Sequence, residues 1–394
     1  MSKIAYIDEV DITNKRVLLR VDFNVSLTEK ITIADDARIK QSLPTIDFLL
    51  KKKNKLILVS HLGRPKGKDP NLSLKIVVDH LQKLIPGYET VLIDDFLNPT
   101  DQSVIKNQKQ NQIIILENIR FYPEEKNNEP EFAKKLASLA EIFVNDAFGV
   151  AHRQDASVVG VAKLLPSYGG LLLKKEVTMI SKVIENPQKP FVVILGGAKV
   201  STKIGLISKL AELADYLLIG GGLANTFVRS QGYNIGSSFC EEEVINQARN
   251  LLNLIKEKKT SLVLPVDAVV SQQKDSQETQ VVKINNVAEN FSIFDIGPET
   301  QALFGSFISK AKTIIWNGPV GYFENPAFRR GTDFIYYSIA QNQQAVSIVG
   351  GGDTLAALSK KDQLDKITHI STGGGAMLEF IEKGTLPGIE ALKK

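Results

Sequence analysis

The sequence predicts an α/β protein: two Rossmann-like three-layer domains with parallel sheets, joined by a connector helix and hinge. Three observations lead there. Short runs rich in Val, Ile and Leu recur roughly every 20–35 residues, with segments of helical spacing between them. Strands buried on both faces alternate with covering helices in this way. The chain has 394 residues, a length that favours two domains over one. Near its middle, an amphipathic segment flanked by helix breakers separates two series of such strands.

In order, the first series is Arg16–Val21 (RVLLRV), Lys55–Ser60 (KLILVS), Thr90–Ile93 (TVLI), Gln112–Leu116 (QIIIL) and Ile142–Asn145 (IFVN). Then comes GGLLLKKEVTMISKVIENP, in which Leu173, Val177, Ile180 and Ile184 fall on one helical face. Gly169-Gly170 precedes this helix and can act as a hinge, and Asn186-Pro187 ends it. The second series is Phe191–Leu195 (FVVIL), Tyr216–Ile219 (YLLI), Leu262–Pro265 (LVLP), Thr313–Trp316 (TIIW), Ser347–Val349 (SIV) and His369–Ser371 (HIS). The expected division is residues 1–168, a connector at 169–186, and residues 187–383. No fixed-period repeat stands out, which excludes a solenoid.

Composition narrows the function classes. Net charge is +4 and dispersed. Lys51-Lys52-Lys53 is too short a run for a nucleic-acid arm. The single cysteine, Cys240, allows no intramolecular disulfide and suits a reducing compartment. The opening MSKIAYIDEV lacks a signal-peptide pattern. No apolar run reaches the ~18 residues of a membrane helix. A cytoplasmic protein with no nucleic-acid or membrane partner is expected.

Ligands of open α/β sheets sit beyond the carboxyl ends of the strands, and there the two halves differ. The first half ends its strands with Asp22-Phe23-Asn24, His61-Leu62-Gly63-Arg64-Pro65, Glu117-Asn118-Ile119-Arg120 and Asn145-Asp146, with His152-Arg153 close behind and Arg38 after the first strand. Several arginines near one sheet edge make an anion site, because the planar guanidinium binds carboxylate or phosphate oxygens in pairs. The second half ends its strands with Gly196-Gly197, Gly220-Gly221-Gly222, Gly350-Gly351-Gly352 and Gly373-Gly374-Gly375. Glycine turns let backbone N–H groups close around phosphates. In GGAKVSTK, Lys199 and Lys203 share a face if a helix starts there, and an anion would offset two ammonium groups at its N-terminus. Asp353, after the third glycine cluster, suits an N-cap.

The glycine clusters do not match G-x-G-x-x-G, and Gly63-Arg-Pro-Lys-Gly67-Lys68-Asp69 fails the P-loop pattern in spacing and in its last residue. There is no zinc spacing and no G-x-S-x-G elbow. A phosphotransferase is the natural reading. A dehydrogenase and a two-lobed binding protein remain alternatives.

Eleven collinear motifs go further. They are RVDFNV (Arg20–Val25), SHLGRP (Ser60–Pro65), ENIRF (Glu117–Phe121), NDAFGVAHR (Asn145–Arg153), LGGAKVSTK (Leu195–Lys203), IGGGLANTF (Ile219–Phe227), LPVDAVV (Leu264–Val270), DIGPET (Asp295–Thr300), WNGPVGYFE (Trp316–Glu324), GGGDT (Gly350–Thr354) and HISTGGGAMLEF (His369–Phe380). Along nearly its whole length the chain resembles the phosphoglycerate kinases. The resemblance implies a cytoplasmic monomer that interconverts 1,3-bisphosphoglycerate plus MgADP with 3-phosphoglycerate plus MgATP. Glycerate binds the N-terminal domain and nucleotide the C-terminal one. The last residues, 384–394, are expected to pack back on the N-terminal domain.

By the same resemblance, Asp22, Phe23, Asn24, Arg38, His61, Leu62, Gly63, Arg64, Arg120 and Arg153 bind the glycerate. Gly197, Lys203, Asn317, Pro319, Glu324, Gly351, Gly352, Asp353 and Thr354 bind the nucleotide, and Asp353 meets its Mg²⁺. Arg38, Lys199, Lys203, Gly352 and Gly375, with Gly374 beside it, surround the group in transfer. Three positions depart from the family pattern. Ser26 replaces a proline, and Tyr322 a small aliphatic residue. Asp155 stands where a second histidine is frequent, and an acid there lowers the positive potential of the anion site.

Overall fold

The computed structural model describes residues 4–358 and 362–393. The chain divides into two compact units, Met1–Thr178 with Thr385–Lys394, and Met179–Gly384.

The first unit holds β1 (Arg16–Arg20), β2 (Lys55–Val59), β3 (Glu89–Ile93), β4 (Gln112–Leu116), β5 (Ile142–Asn145) and β6 (Ser167–Gly169). They form one sheet in the order β3-β4-β2-β1-β5-β6, and each neighbouring pair is parallel. β1, β2 and β4 bury four of their five residues each, as strands covered on both faces must. Val17, Leu19, Leu56, Leu58, Ile113 and Ile115 pack with Ile46 and Leu49 of helix Ala37–Lys51 and Val77 and Leu81 of helix Lys75–Leu84. Each such fully buried aliphatic adds about 1.5–3 kcal/mol of transfer free energy. The apolar-run criterion misses β6. Its sequence is SYG, and its pairing comes from the neighbour, Phe143 N donating to Pro166 O at 3.0 Å.

Residues after 384 belong to this unit. Gly388 N donates to Ala151 O at 2.8 Å. A Cβ on Gly388 would come within 2.7 Å of Val158, so glycine allows the close approach. Ile4 pairs with Lys393 in an antiparallel bridge.

Helix Leu171–Glu185 runs across the boundary between the units. Its start is fixed by Asp146, whose Oδ1 accepts from Leu172 N (2.9 Å) and Leu173 N (3.1 Å). A Cβ on Gly170 would meet that carboxylate at 2.2 Å, and one on Gly169 would meet the Tyr6 ring at 2.6 Å. These glycines serve close packing. The buried stripe is Leu172, Leu173, Ile180 and Val183, whereas Val177 and Ile184 of the expected stripe are only half-buried. The face is turned by about one residue, because the anchored first turn sets the helix rotation.

The second unit holds β7 (Phe191–Leu195), β8 (Tyr216–Ile219), β9 (Ser261–Val263), β10 (Asp267–Ser271), β11 (Gln280–Lys283), β12 (Ser292–Ile296), β13 (Thr313–Asn317), β14 (Val346–Gly350) and β15 (His369–Ile370). The main sheet has the order β15-β14-β13-β7-β8-β9 and is parallel. Its core joins Val192, Ile194, Ile314, Trp316 and Val349 to Ile335, Tyr336 and Ile339 of helix Arg330–Gln341. β11, β10 and β12 form a separate antiparallel sheet that the strand pattern does not reveal. The apolar run LVLPVDAVV is divided between two sheets. It ends in one at Val263 and enters the other at Asp267, with Pro265, which has no N–H for a ladder, in between.

Candidate active site

The anion site of the first unit forms beyond the carboxyl ends of β1, β2, β4 and β5. Asp22, 4 % exposed, accepts from Arg38 Nη1 at 2.9 Å, and the same guanidinium nitrogen reaches Asn24 O at 3.1 Å. Asn24 Oδ1 accepts from Gly63 N at 2.8 Å. Gly63 has φ +63°, and its carbonyl takes a bond from Arg120 Nη1 at 2.9 Å. Asp22, Asn24, Arg38, Gly63 and Arg120 are thereby linked into one network.

Phe23 and Leu62 can face a ligand only with their backbone. Both side chains lie in the hydrophobic core. Phe23 N donates to Ser60 Oγ at 2.8 Å, and Leu62 O accepts from Asn118 Nδ2 at 2.8 Å. They hold the turns in place with buried side chains. Arg64 is exposed and Arg153 half-buried. The nitrogens Arg120 Nε, Arg120 Nη2 and Arg153 Nε are buried without a hydrogen-bond partner. Unmet guanidinium donors inside a pocket suit an anion that supplies the acceptors.

Sequence reading passed over Arg20. It lies within RVLLRV and is wholly buried. Its Nη2 is 3.3 Å from His61 Nδ1, and its Nε donates to Ser157 Oγ at 2.9 Å. Ser157 donates from Oγ (2.5 Å) and from N (2.9 Å) to the buried carboxylate of Glu125. Burial lowers the Arg20 pKa, and Glu125, Asp22 and Asp155 oppose that shift. Burial also drives the His61 pKa well below its ordinary value, aided by Arg20, Arg120, Arg153 and Arg38. His61 is therefore neutral. A guanidinium only donates, so Nδ1 is the acceptor and the ring proton sits on Nε2. Arg120 is lowered to about 10 by burial and then by Arg153 and Arg20, and stays charged at neutral pH.

The second unit builds its site from backbone. Gly197 (φ +93°) donates its N–H to Pro319 O at 2.8 Å. Gly318 N donates to Thr354 Oγ1 at 2.7 Å, Thr354 Oγ1 to Gly350 O at 3.1 Å, and Asn317 Nδ2 to Gly350 O at 2.7 Å. Gly351 has φ +117°. A Cβ on Gly374 would lie 2.6 Å from Gly351 Cα, so two glycine turns touch, backbone to backbone. Gly352 opens helix Gly352–Leu358 and Gly375 is the second residue of helix Gly374–Lys383, and neither has an atom within 4 Å of where its Cβ would be. Two helix N-termini therefore face open space, as phosphate binding needs.

Lys203 is the cation of this cradle. Its Nζ donates to Asn317 Oδ1 at 2.8 Å and Gly196 O at 3.0 Å. Burial lowers its pKa to about 8, against the opposing pull of Asp353. Beside it lies a cavity of about 490 Å³ lined by Gly197, Phe239, Pro319, Tyr322, Glu324 and Asp353 among others. Glu324 is exposed at this cavity.

Two local expectations are corrected. Lys199 and Lys203 share no helical face, since the helix begins at Ile204 with Lys203 at its N-cap. The buried Glu241 carboxylate accepts from Ser201 N (3.0 Å) and Ser201 Oγ (2.6 Å) and holds the preceding segment as turns. Lys199 lies exposed in that segment. Asp353 is likewise no N-cap. Helix Gly352–Leu358 starts one residue earlier, which puts Asp353 in the first turn, exposed and at the cavity. Among the described residues, no group of three His, Cys, Asp or Glu side chains is placed to hold a metal.

A buried guanidinium pocket on one unit and a glycine-lined, lysine-bearing cradle on the other define a phosphotransferase. The profile described as phosphoglycerate kinase matches residues 7–384. The phosphoglycerate kinase of Dictyoglomus turgidum is 50 % identical over 396 residues, covering 100 % of each chain. The cytosolic phosphoglycerate kinase of Nicotiana tabacum is 45 % identical over 99 % of this chain and 98 % of its own. The solved phosphoglycerate kinase of Coxiella burnetii superposes with a TM-score of 0.87 at 41 % identity, covering 99 % of each chain. The chain belongs to the phosphoglycerate kinase family.

Proposed function

We propose that the chain carries out the glycolytic transfer between 1,3-bisphosphoglycerate and MgADP, giving 3-phosphoglycerate and MgATP reversibly. The observation behind this is the division of labour between side-chain and backbone sites. On this reading Asp22, Asn24, His61, Arg64, Arg120 and Arg153 bind the glycerate carboxylate and its non-transferred phosphate. The N–H groups of Gly351, Gly352, Gly374 and Gly375, with Thr354, take nucleotide and transferring phosphates. Glu324 meets the ribose, while Gly197 and Pro319 line the base pocket.

Transfer is direct and in line. The phosphoryl group spreads charge over its equatorial oxygens, so catalysis is positioning plus charge stabilisation. Arg38 and Lys203 supply that charge. Lys203 exchanges its bonds to Gly196 O and Asn317 Oδ1 for phosphate oxygens, which raises its pKa and keeps it charged. Lys199, exposed in the turn before helix Ile204–Leu210, engages the phosphates as a second cation. Exclusion of water from the acyl phosphate during transfer protects it from hydrolysis.

Mg²⁺ fits a site with one exposed carboxylate, Asp353, because it takes its remaining ligands from phosphate oxygens and water. It supplies neutralisation of phosphate charge. A cytoplasmic monomer without nucleic-acid or membrane partners completes the reading. Among the described residues, no helix is long and apolar enough to cross a membrane. The test is an assay with ATP and 3-phosphoglycerate, product being followed by a coupled enzyme. Absence of turnover overturns the assignment.

A further inference from the structure

The arginine pocket contains a carboxylate that the reaction does not call for. Asp155 is 5 % exposed, and its Oδ2 is buried without a hydrogen-bond partner. It faces Arg120 Nη2 at 3.9 Å, an ion pair just beyond hydrogen-bonding distance. The Asp155 charge acts on both Arg120 and Arg20. A buried charge that makes no hydrogen bond is costly to keep. Its backbone is fixed. Asp155 O accepts from Val158 N (3.0 Å) and Val159 N (2.9 Å), and Glu125 holds Ser157 two residues on. A Cβ on Gly160 would meet Asn128 Oδ1 at 2.5 Å, which seats the end of the turn closely. The carboxylate therefore stays inside the pocket.

We propose that Asp155 is a specificity-determining residue, an internal anion set against the incoming one at Arg120. Because the pair stands apart by 3.9 Å, the Arg120 donors remain open to a ligand while the net attraction for it is reduced. Repulsion grows with ligand charge, so the pocket holds phosphorylated carboxylates loosely and penalises more highly charged anions more. The anionic product leaves faster as a result.

This rests on the glycerate assignment of the pocket. The experiment compares wild type with Asp155→Asn, which keeps size and shape, and Asp155→Glu, which keeps charge. Asp155→Asn is expected to lower KM for 3-phosphoglycerate about tenfold, one pKa unit's worth of interaction, with KM for MgATP unchanged. Competitive inhibition by inorganic sulfate should tighten in parallel, whereas Asp155→Glu, which keeps the charge, should tighten neither ligand. An unchanged or raised KM for 3-phosphoglycerate in Asp155→Asn overturns the proposal and makes Asp155 a support for Arg120. Sulfate binding followed by calorimetry needs no turnover. If the wild type lacks activity, the reaction assignment fails while tighter sulfate binding by Asp155→Asn still upholds the role of Asp155.

Discussion

The two units share a parallel-sheet plan and carry their candidate sites beyond the carboxyl ends of its strands, yet those sites are built by opposite means. The first unit uses buried charge. Arg20 is wholly buried, His61 and Arg120 nearly so, and carboxylates of Asp22, Asp155 and Glu125 lie among them. The second uses N–H groups of glycine turns that touch at Gly351 and Gly374, with Lys203 as its buried cation. A side-chain site sets affinity by how many charges it balances, so it can be tuned one residue at a time. A backbone site sets affinity by shape, so it fails when the chain is displaced. The first arrangement suits a small ligand of fixed charge. The second suits an extended chain of phosphates, whose oxygens meet successive N–H groups.

The largest expected effect cuts across this contrast. Lys203→Ala and Arg38→Ala should each lower kcat roughly 10³-fold, the scale of losing an arginine finger. Near-wild-type turnover in either would break the assignment of transfer chemistry to one cation from each unit. Next, Gly374→Ala separates the sites. Its Cβ would lie 2.6 Å from Gly351 Cα, so the two turns must part, and a misplacement of about 1 Å costs about 10²-fold in rate. Equilibrium binding should show MgADP weakened and 3-phosphoglycerate unaffected. Equal loss of both would mean the second unit is no independent backbone site.

Asp353→Asn should weaken MgADP about tenfold, the lower end of effects on metal affinity, while metal-free ADP binding changes little. An identical loss with and without Mg²⁺ would return Asp353 to a purely electrostatic role beside Lys203.

The smallest effect concerns stability. Burial raises Asp146 to about 7 from 3.8, so the folded chain keeps a proton that the unfolded chain releases. That contribution is complete below about pH 4 and is lost as pH rises toward 7. Asp146→Asn keeps the acceptor for Leu172 N and Leu173 N. It should lose this component of the pH dependence of Tm, whereas a parallel pH profile would assign the dependence to other groups.

Much of this was legible in sequence, and the exceptions have physical causes. β1, β2, β4, β5, β7 and β13 announce themselves because strands buried on both faces are unbroken apolar runs. The glycine clusters of the cradle are equally plain, since touching backbones leave no alternative residue. Arg20 was passed over because its meaning lies in neighbours supplied by β2 and by the turn at Ser157, far away in the chain. Asp155 was visible as a departure, but its burial and its 3.9 Å distance from Arg120 belong to the fold. The β10–β12 sheet was missed because one apolar run serves two sheets. The positions of Lys199 and Asp353 were misjudged by the placing of helix starts, which Glu241 and Gly351 decide.

The return of residues 385–393 to the first unit has a consequence for how the protein is made. The ribosome finishes the whole of Met179–Gly384 before it releases the stretch that seats Gly388 against Ala151. The unit begun first is therefore completed last. Until then the surface around Ala151 and Val158 has nothing from this stretch to cover it. A nascent chain stalled short of residue 388 should display a folded second unit while protease still cuts within the first.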